Sequence, residues 1–233
     1  MTEGQGPRGH APGSAAPQSV ASPPVLPPAP VVAGSLGVLG GTFDPIHHGH
    51  LAIAEEAREA LGLETVRFVP AAASPFKADR AVTPGEHRLA MVEAAIAGNP
   101  SFEVSRMELD RPAPSYTVDT IEALAAEGPS TLWLILSSEA LEGLPRWRDP
   151  SRILDMARLA VVPRAGFDPL GPAWVAEHLP GREDRFTFLP GPLLPISGSV
   201  VRRRAAAGRS VRYLVPDGVA RYIAQHALYA QPA

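Results

Sequence analysis

The chain has 233 residues, 45% of them hydrophobic, no cysteine, and a formal net charge of −3 with a pI of about 6.2. This excludes disulfides and thiolate metal sites, and leaves no basic excess for general binding of nucleic acid or membrane surfaces. No apolar run approaches the roughly 18 residues of a membrane helix, so a cytoplasmic protein with one real core is expected.

Residues 1–33 differ in kind from the rest. They are rich in Pro, Ala, Gly and Ser, with Glu3 and Arg8 as the only Asp, Glu, Lys or Arg. Such a stretch buries too little apolar surface to offset chain entropy, and it lacks the charged start and compact apolar middle of a secretory signal. A disordered extension is expected there, with a Pro-rich partner ligand as the weaker reading. A single folded domain is then expected over residues 34–233.

Within it, Leu36–Leu51 reads LGVLGGTFDPIHHGHL. A short apolar strand ends in Gly40-Gly41, passes Thr42 and Phe43, and enters a helix through His47, His48, Gly49 and His50. Glycines at a strand-to-helix junction let a phosphate approach backbone N–H groups without a Cβ in the way. Histidines at the same junction can donate to a phosphoryl group as its charge rises. Taken singly, Gly-Gly is a turn and a histidine is structural; together they point to a nucleotide site.

Leu51–Leu61 has a helical stripe at Leu51, Ala54, Arg58 and Leu61 and stops at Gly62. Thr65–Val69 is β-branched and strand-like, closed by Pro70. In the loop that follows, Lys77 by itself is a solvated lysine. Thr83-Pro84-Gly85-Glu86 matches a capping box, with Thr83 as N-cap and Pro84 at the first helical position. Leu89, Val92 and Ile96 then follow at core spacing, with Arg88 and Met91 assigned to surface charge and packing.

Phe102–Arg106 alternates as a strand does. In Pro114–Thr120, PSYTVDT, Ser115 or Thr117 suits a helix N-cap. Thr131–Leu136 is a continuous apolar run, as in a central parallel strand. Ser137-Ser138-Glu139 follows at its C-terminal edge, where open α/β sheets bind ligands. Trp147 reads as a partly buried aromatic. A helix over 152–157, a strand over 159–162, a loop at Pro163–Gly166, a weak helix over 173–179 and a strand over 186–189 complete the middle. In Pro195–Arg202, PISGSVVR, Ser197 or Ser199 can cap a helix whose first N–H groups attract an anion. Arg202 lies one turn in; alone, with Arg203 and Arg204, it is a solvated basic face. Val219, Tyr222, Ile223 and His226 pattern a packing helix.

Alternating strands and helices imply an α/β fold. The motifs add a resemblance. GGTFDPIHHGHL resembles the first signature of the HxGH nucleotidyltransferase superfamily, in the form most similar to bacterial nicotinate-nucleotide adenylyltransferases. Ser115–Thr120 resembles their SYTxDT segment, Leu144–Trp147 their tryptophan segment, and Ile196–Arg202 the superfamily's second signature, I-S-S-T-x-I-R. Three segments depart from these patterns: Phe76 stands for the usual histidine before Lys77, Ser137 and Glu139 for Gly-x-Asp, and Gly198, Ser199 and Val201 are substitutions within the second signature, where Ser199 keeps a hydroxyl.

The resemblance runs from Leu36 to Tyr229. It implies a Rossmann-like, doubly wound parallel sheet flanked by helices. It also implies transfer of the adenylyl group of ATP to nicotinate mononucleotide, giving nicotinate adenine dinucleotide and pyrophosphate. Carried over position by position, Gly40, Gly41, Thr42, Phe43, Glu139, Ile196, Ser197 and Ser199 would line ATP. His47, His50 and Arg202 would bind its phosphates and support catalysis, and Lys77, Tyr116, Thr117 and Trp147 would meet the acceptor. Mg²⁺ would ride on ATP without a protein metal site. Neither nucleic acid nor membrane is an expected partner, and a homo-oligomer is compatible with the sequence. The alternatives are a sister enzyme acting on phosphopantetheine or a sugar or glycerol phosphate, which should lack Ser115–Thr120 and Trp147, and a non-catalytic nucleotide sensor.

Overall fold

The computed structural model describes residues 27–73, 82–167 and 169–230. Six strands form one parallel sheet: β1 Val32–Gly41, β2 Leu63–Pro70, β3 Phe102–Val104, β4 Thr131–Ser137, β5 Arg158–Val162 and β6 Phe186–Phe188. Their order is β3-β2-β1-β4-β5-β6, the doubly wound arrangement, with every neighbouring pair parallel. Parallel neighbours need crossover helices, and these cover both faces of the sheet.

The strand sequences show why. In β4, Leu132, Leu134 and Leu136 pack into one apolar cluster, while Ile135 enters the other. In β5, Leu159 and Val161 go one way and Ala160 and Val162 the other. The period of two is intact, but both faces are dry, so the alternation of polar and apolar residues disappears into continuous apolar runs.

The first cluster lies under α1 (His48–Leu61), α2 (Gly85–Ile96), α7 (Gly198–Ala206) and α8 (Asp217–Gln225). The second lies under α3 (Thr117–Ala126), α4 (Ser138–Gly143), α5 (Pro150–Met156) and α6 (Pro172–His178). Among the described residues, no helix is long and apolar enough to cross a membrane.

Several boundaries differ from the sequence reading. β1 begins at Val32, upstream of the expected start near Gly34, and β3 stops at Val104. The expected disordered extension falls largely on residues 1–26, which lie outside the described residues, as do Phe76 and Lys77. Arg58 does not enter the α1 core; it pairs with Glu55 at 2.6 Å, while Ala54 and Ala57 are the buried positions.

The capping box at Thr83 is absent. Pro84 occupies the N-cap of α2 and has no polar side-chain atom to cap with, while the Thr83 backbone is engaged elsewhere. Its carbonyl accepts from Arg88 Nε at 2.8 Å, and its N–H donates to Asp44 Oδ2 at 3.5 Å. At α3, neither Ser115 nor Thr117 caps. Tyr116 is the N-cap residue without a side-chain bond, and Ser115 Oγ instead accepts from Ala72 N at 3.0 Å.

Candidate active site

β1 and β4 lie side by side, and the chain leaves β1 for one face of the sheet and β4 for the other. Their C-terminal ends therefore open a crevice at the switch point of the fold. Gly40 is exposed there, with open space where its Cβ would stand. Beyond Gly41, Phe43 takes a positive φ of 48° and turns its ring inward, 2% exposed, edge-on to His50 at 5.1 Å. Its side chain thus supports the loop from the core side, against Phe68 and His50.

The two motif histidines stack, with ring centroids 3.7 Å apart and planes inclined by 22°. His47 is the N-cap residue of α1 and 5% exposed. Its ring lies on Gly49: a Cβ at Gly49 would stand 3.0 Å from His47 Nδ1. That contact explains physically why a glycine separates the histidines. Burial, then the positive charge of Arg164, then His48, lower the His47 imidazole to about 4, so its ring is neutral near pH 7. His50 is oriented differently. Its Nδ1 accepts from the backbone N–H of His47 at 3.3 Å, which leaves Nε2 as the protonated nitrogen and a hydrogen-bond donor.

α7 starts against this loop. Ser197 caps it by accepting from Val200 N at 3.3 Å, so the cap falls on Ser197 and not Ser199. Arg202 reaches back to donate to the Asp44 carbonyl and to Ser199 Oγ, the latter at 3.1 Å; its guanidinium is 3.7 Å from Asp44 Oδ2. Ile196 packs on the first apolar cluster, with its carbonyl close to Gly49.

The departure at Gly198 also has a cause: a Cβ there would lie 2.8 Å from the Asp44 carbonyl. Backbone cannot yield as a flexible side chain can. Gly198→Ala is expected to cost about 1–3 kcal/mol in unfolding free energy, as overpacking does. Chemical denaturation checks this, and an unchanged midpoint would mean that α7 can slide freely on the loop.

On the second sheet face, β4 passes into α4 through Ser137, whose Oγ accepts from Ala140 N at 3.3 Å. The replacement of glycine by Ser137 therefore supplies a cap. Glu139 stands exposed in the first turn and pairs with Arg164 from the loop after β5. Arg164 N in turn donates to Ser138 Oγ at 3.3 Å.

Tyr116 and Thr117 open α3. Tyr116 and Trp147 both pack on the second cluster, and the Arg148 guanidinium sits over the Tyr116 ring at 4.7 Å. Beneath them Glu108 is buried and accepts from Thr120 Oγ1 at 2.6 Å, with burial pushing its carboxyl upward. Thr120 Oγ1 also accepts from Arg111 at 2.6 Å. Ser115 and Thr120 are thus braces that shape the Tyr116–Thr117 turn.

Sequence reasoning missed four participants. Asp44, 6% exposed, accepts from Tyr229 Oη at 2.7 Å, so the far end of the chain clamps the loop. Burial and the Asp44 carboxylate push the Tyr229 phenol well up, and it stays a neutral donor. Arg88, read as surface charge, is 1% exposed and donates to the carbonyls of Thr42 at 2.7 Å, Thr83 at 2.8 Å and Ala72 at 3.4 Å. Arg164 is, by sequence alone, only a loop residue. Asp44 carried a signal by lying inside the motif; Tyr229 and Arg164 carried none, and the spacing of Arg88 pointed only to surface charge.

A family profile described as cytidylyltransferase-like matches residues 38–204. A protein of Roseiflexus sp. (strain RS-1), named probable nicotinate-nucleotide adenylyltransferase, is 51% identical over 194 residues, covering 83% of this chain and 97% of its own. A protein of the same name from Thermomicrobium roseum is 44% identical, over 83% and 91%. Among solved structures, Plasmodium falciparum nicotinic acid mononucleotide adenylyltransferase complexed with NaAD superposes with a TM-score of 0.68 at 16% identity, covering 83% of this chain and 96% of that one.

Proposed function

The chain belongs to the nicotinate-nucleotide adenylyltransferases of the cytidylyltransferase-like family, and we propose that it joins ATP to nicotinate mononucleotide, releasing pyrophosphate. The observation that carries this reading is the convergence of two helix starts, α1 and α7, beside the stacked histidines and the open space at Gly40.

The acceptor phosphate is already an anionic nucleophile, so in-line attack on the α-phosphorus needs no strong general base. A His47 ring that is neutral near pH 7 and a His50 ring with Nε2 protonated suit the remaining task, donating to the α-phosphoryl oxygens and the leaving pyrophosphate. Gly40, Gly41, Thr42 and the backbone of Phe43 form the floor. Ser197, Ser199 and Arg202 hold the outer phosphates, Arg202 exchanging one protein contact for a phosphate oxygen. Ile196 backs that wall, and Glu139 receives the ribose hydroxyls.

Tyr116, Thr117 and Trp147 take the pyridine ring, and Lys77, which lies outside the described residues, keeps its assignment to the substrate phosphates. Mg²⁺ belongs to the substrate in this scheme. The histidine, arginine, serine and backbone donors around the crevice suit phosphate oxygens, and Asp44 is engaged by Tyr229, Thr83 and Arg202. A single domain that takes in β1 from Val32 and a cytoplasmic location complete the proposal, and a homo-oligomer is compatible with it.

The test is incubation with ATP, Mg²⁺ and a panel of acceptors, followed by assay of pyrophosphate. Release with nicotinate mononucleotide supports the reading. Release only with phosphopantetheine or a sugar phosphate assigns a sister reaction, and no release assigns a sensor.

A further inference from the structure

We propose that Arg148 is a specificity-determining residue that selects a carboxylate-bearing acceptor ring over its uncharged amide. The inference rests on the proposed reaction and deepens it by naming what reads the acceptor's acidic group.

Arg148 follows Trp147 directly, and its guanidinium is seated over the Tyr116 ring at 4.7 Å. It therefore touches one residue assigned to the acceptor ring and is covalently joined to another. Its side chain is 59% exposed. Its ion-pair contact is weak: Asp119 Oδ2 stands at 4.0 Å, the limit for an ion pair. The neighbouring Arg152 is committed to Glu122 and so does not compete for the same place.

A guanidinium on an aromatic face contributes its flat side to the contact, and its in-plane N–H donors remain available for a bidentate pairing with a carboxylate. An uncharged amide offers one acceptor oxygen and turns an NH₂ group towards the same cation, which is a poor match. Asp119, with Tyr116, keeps the guanidinium beside the first turn of α3. Selection then comes from charge and fork geometry, with the aromatic residues contributing ring affinity that acid and amide share.

The experiment compares Arg148→Gln and Arg148→Lys with the unmodified protein, measuring kcat/KM for nicotinate and nicotinamide mononucleotides and KM for ATP. Arg148→Gln is expected to lower the acid-to-amide ratio about tenfold. This is the low end for a charge-assisted hydrogen bond, because the side chain is more than half exposed. Arg148→Lys should recover part of the ratio through its charge, and ATP KM should stay constant.

A residue that merely supports the fold would reduce both acceptors together, and that outcome, or an unchanged ratio, overturns the proposal. Calorimetric titration with the two mononucleotides alone gives the same ratio without turnover. A protein that binds them selectively but releases no pyrophosphate would sink the proposed reaction while leaving the role of Arg148 standing.

Discussion

Replacing His50 by alanine is expected to lower kcat at least ~100-fold, the loss that follows removal of one donor to a developing oxyanion. The reasoning begins with the ring's two nitrogens. Nδ1 is committed to the backbone N–H of His47, so Nε2 is the protonated donor. Alanine removes both the donor and the helix-end bond, and the second loss costs about 1 kcal/mol of stability.

Two further substitutions separate these effects. In His50→Asn the side-chain oxygen can stand where Nδ1 stood, so stability should return without turnover. In His50→Gln the amide NH₂ can approach the position of Nε2–H, so part of the turnover should return instead. Steady-state kinetics alongside thermal unfolding read both quantities. Near-normal turnover in the alanine variant, or full recovery in the asparagine variant, would remove His50 from the chemistry.

The sequence reading reached this residue because the relevant information is local. Strand, glycines, histidines and helix occupy one continuous stretch, and each step has a near-neighbour cause. The same holds for β4 and β5, whose burial on both faces writes an apolar run into the chain. Thr83 shows how local logic fails. Thr83-Pro84-Gly85-Glu86 has every residue of a capping box, yet the Thr83 backbone serves Arg88 and Asp44. The helix then begins without the cap.

Arg88 failed for the same reason from the other side. A lone arginine in an amphipathic pattern reads as solvated, and only the fold brings the carbonyls of Thr42, Ala72 and Thr83 around it. Glu139 is intermediate. Its place at the end of β4 was legible, whereas its partner Arg164, from the loop after β5, required the β4–β5 pairing to be known.

The largest expected loss of stability follows from the same kind of nonlocal assembly. Asp44→Ala is expected to destabilise the protein by about 3–5 kcal/mol, the cost of breaking a buried ion pair by removing one partner. Four attachments depend on this residue or its charge. Tyr229 Oη donates to one carboxylate oxygen at 2.7 Å, Thr83 N to the other at 3.5 Å, Arg202 lies 3.7 Å away, and Arg88 is stabilised by the charge. Alanine leaves the phenol without an acceptor and two arginines without their counter-charge, one of them 1% exposed.

A domain with ~5–15 kcal/mol in total would lose a large part of its margin. Asp44→Asn separates the contributions, because an amide oxygen can still accept from Tyr229 while the charge is gone. If charge dominates, the asparagine variant should resemble alanine in denaturant unfolding. If the hydrogen bond dominates, it should resemble the unmodified protein.

KM for ATP adds the functional half of the prediction, since Arg202 is held beside the loop partly by Asp44. A rise in that KM for both variants would tie the clamp to phosphate binding. A loss below about 1 kcal/mol with KM unchanged would show that the Asp44 junction is neither a structural nor a functional hub.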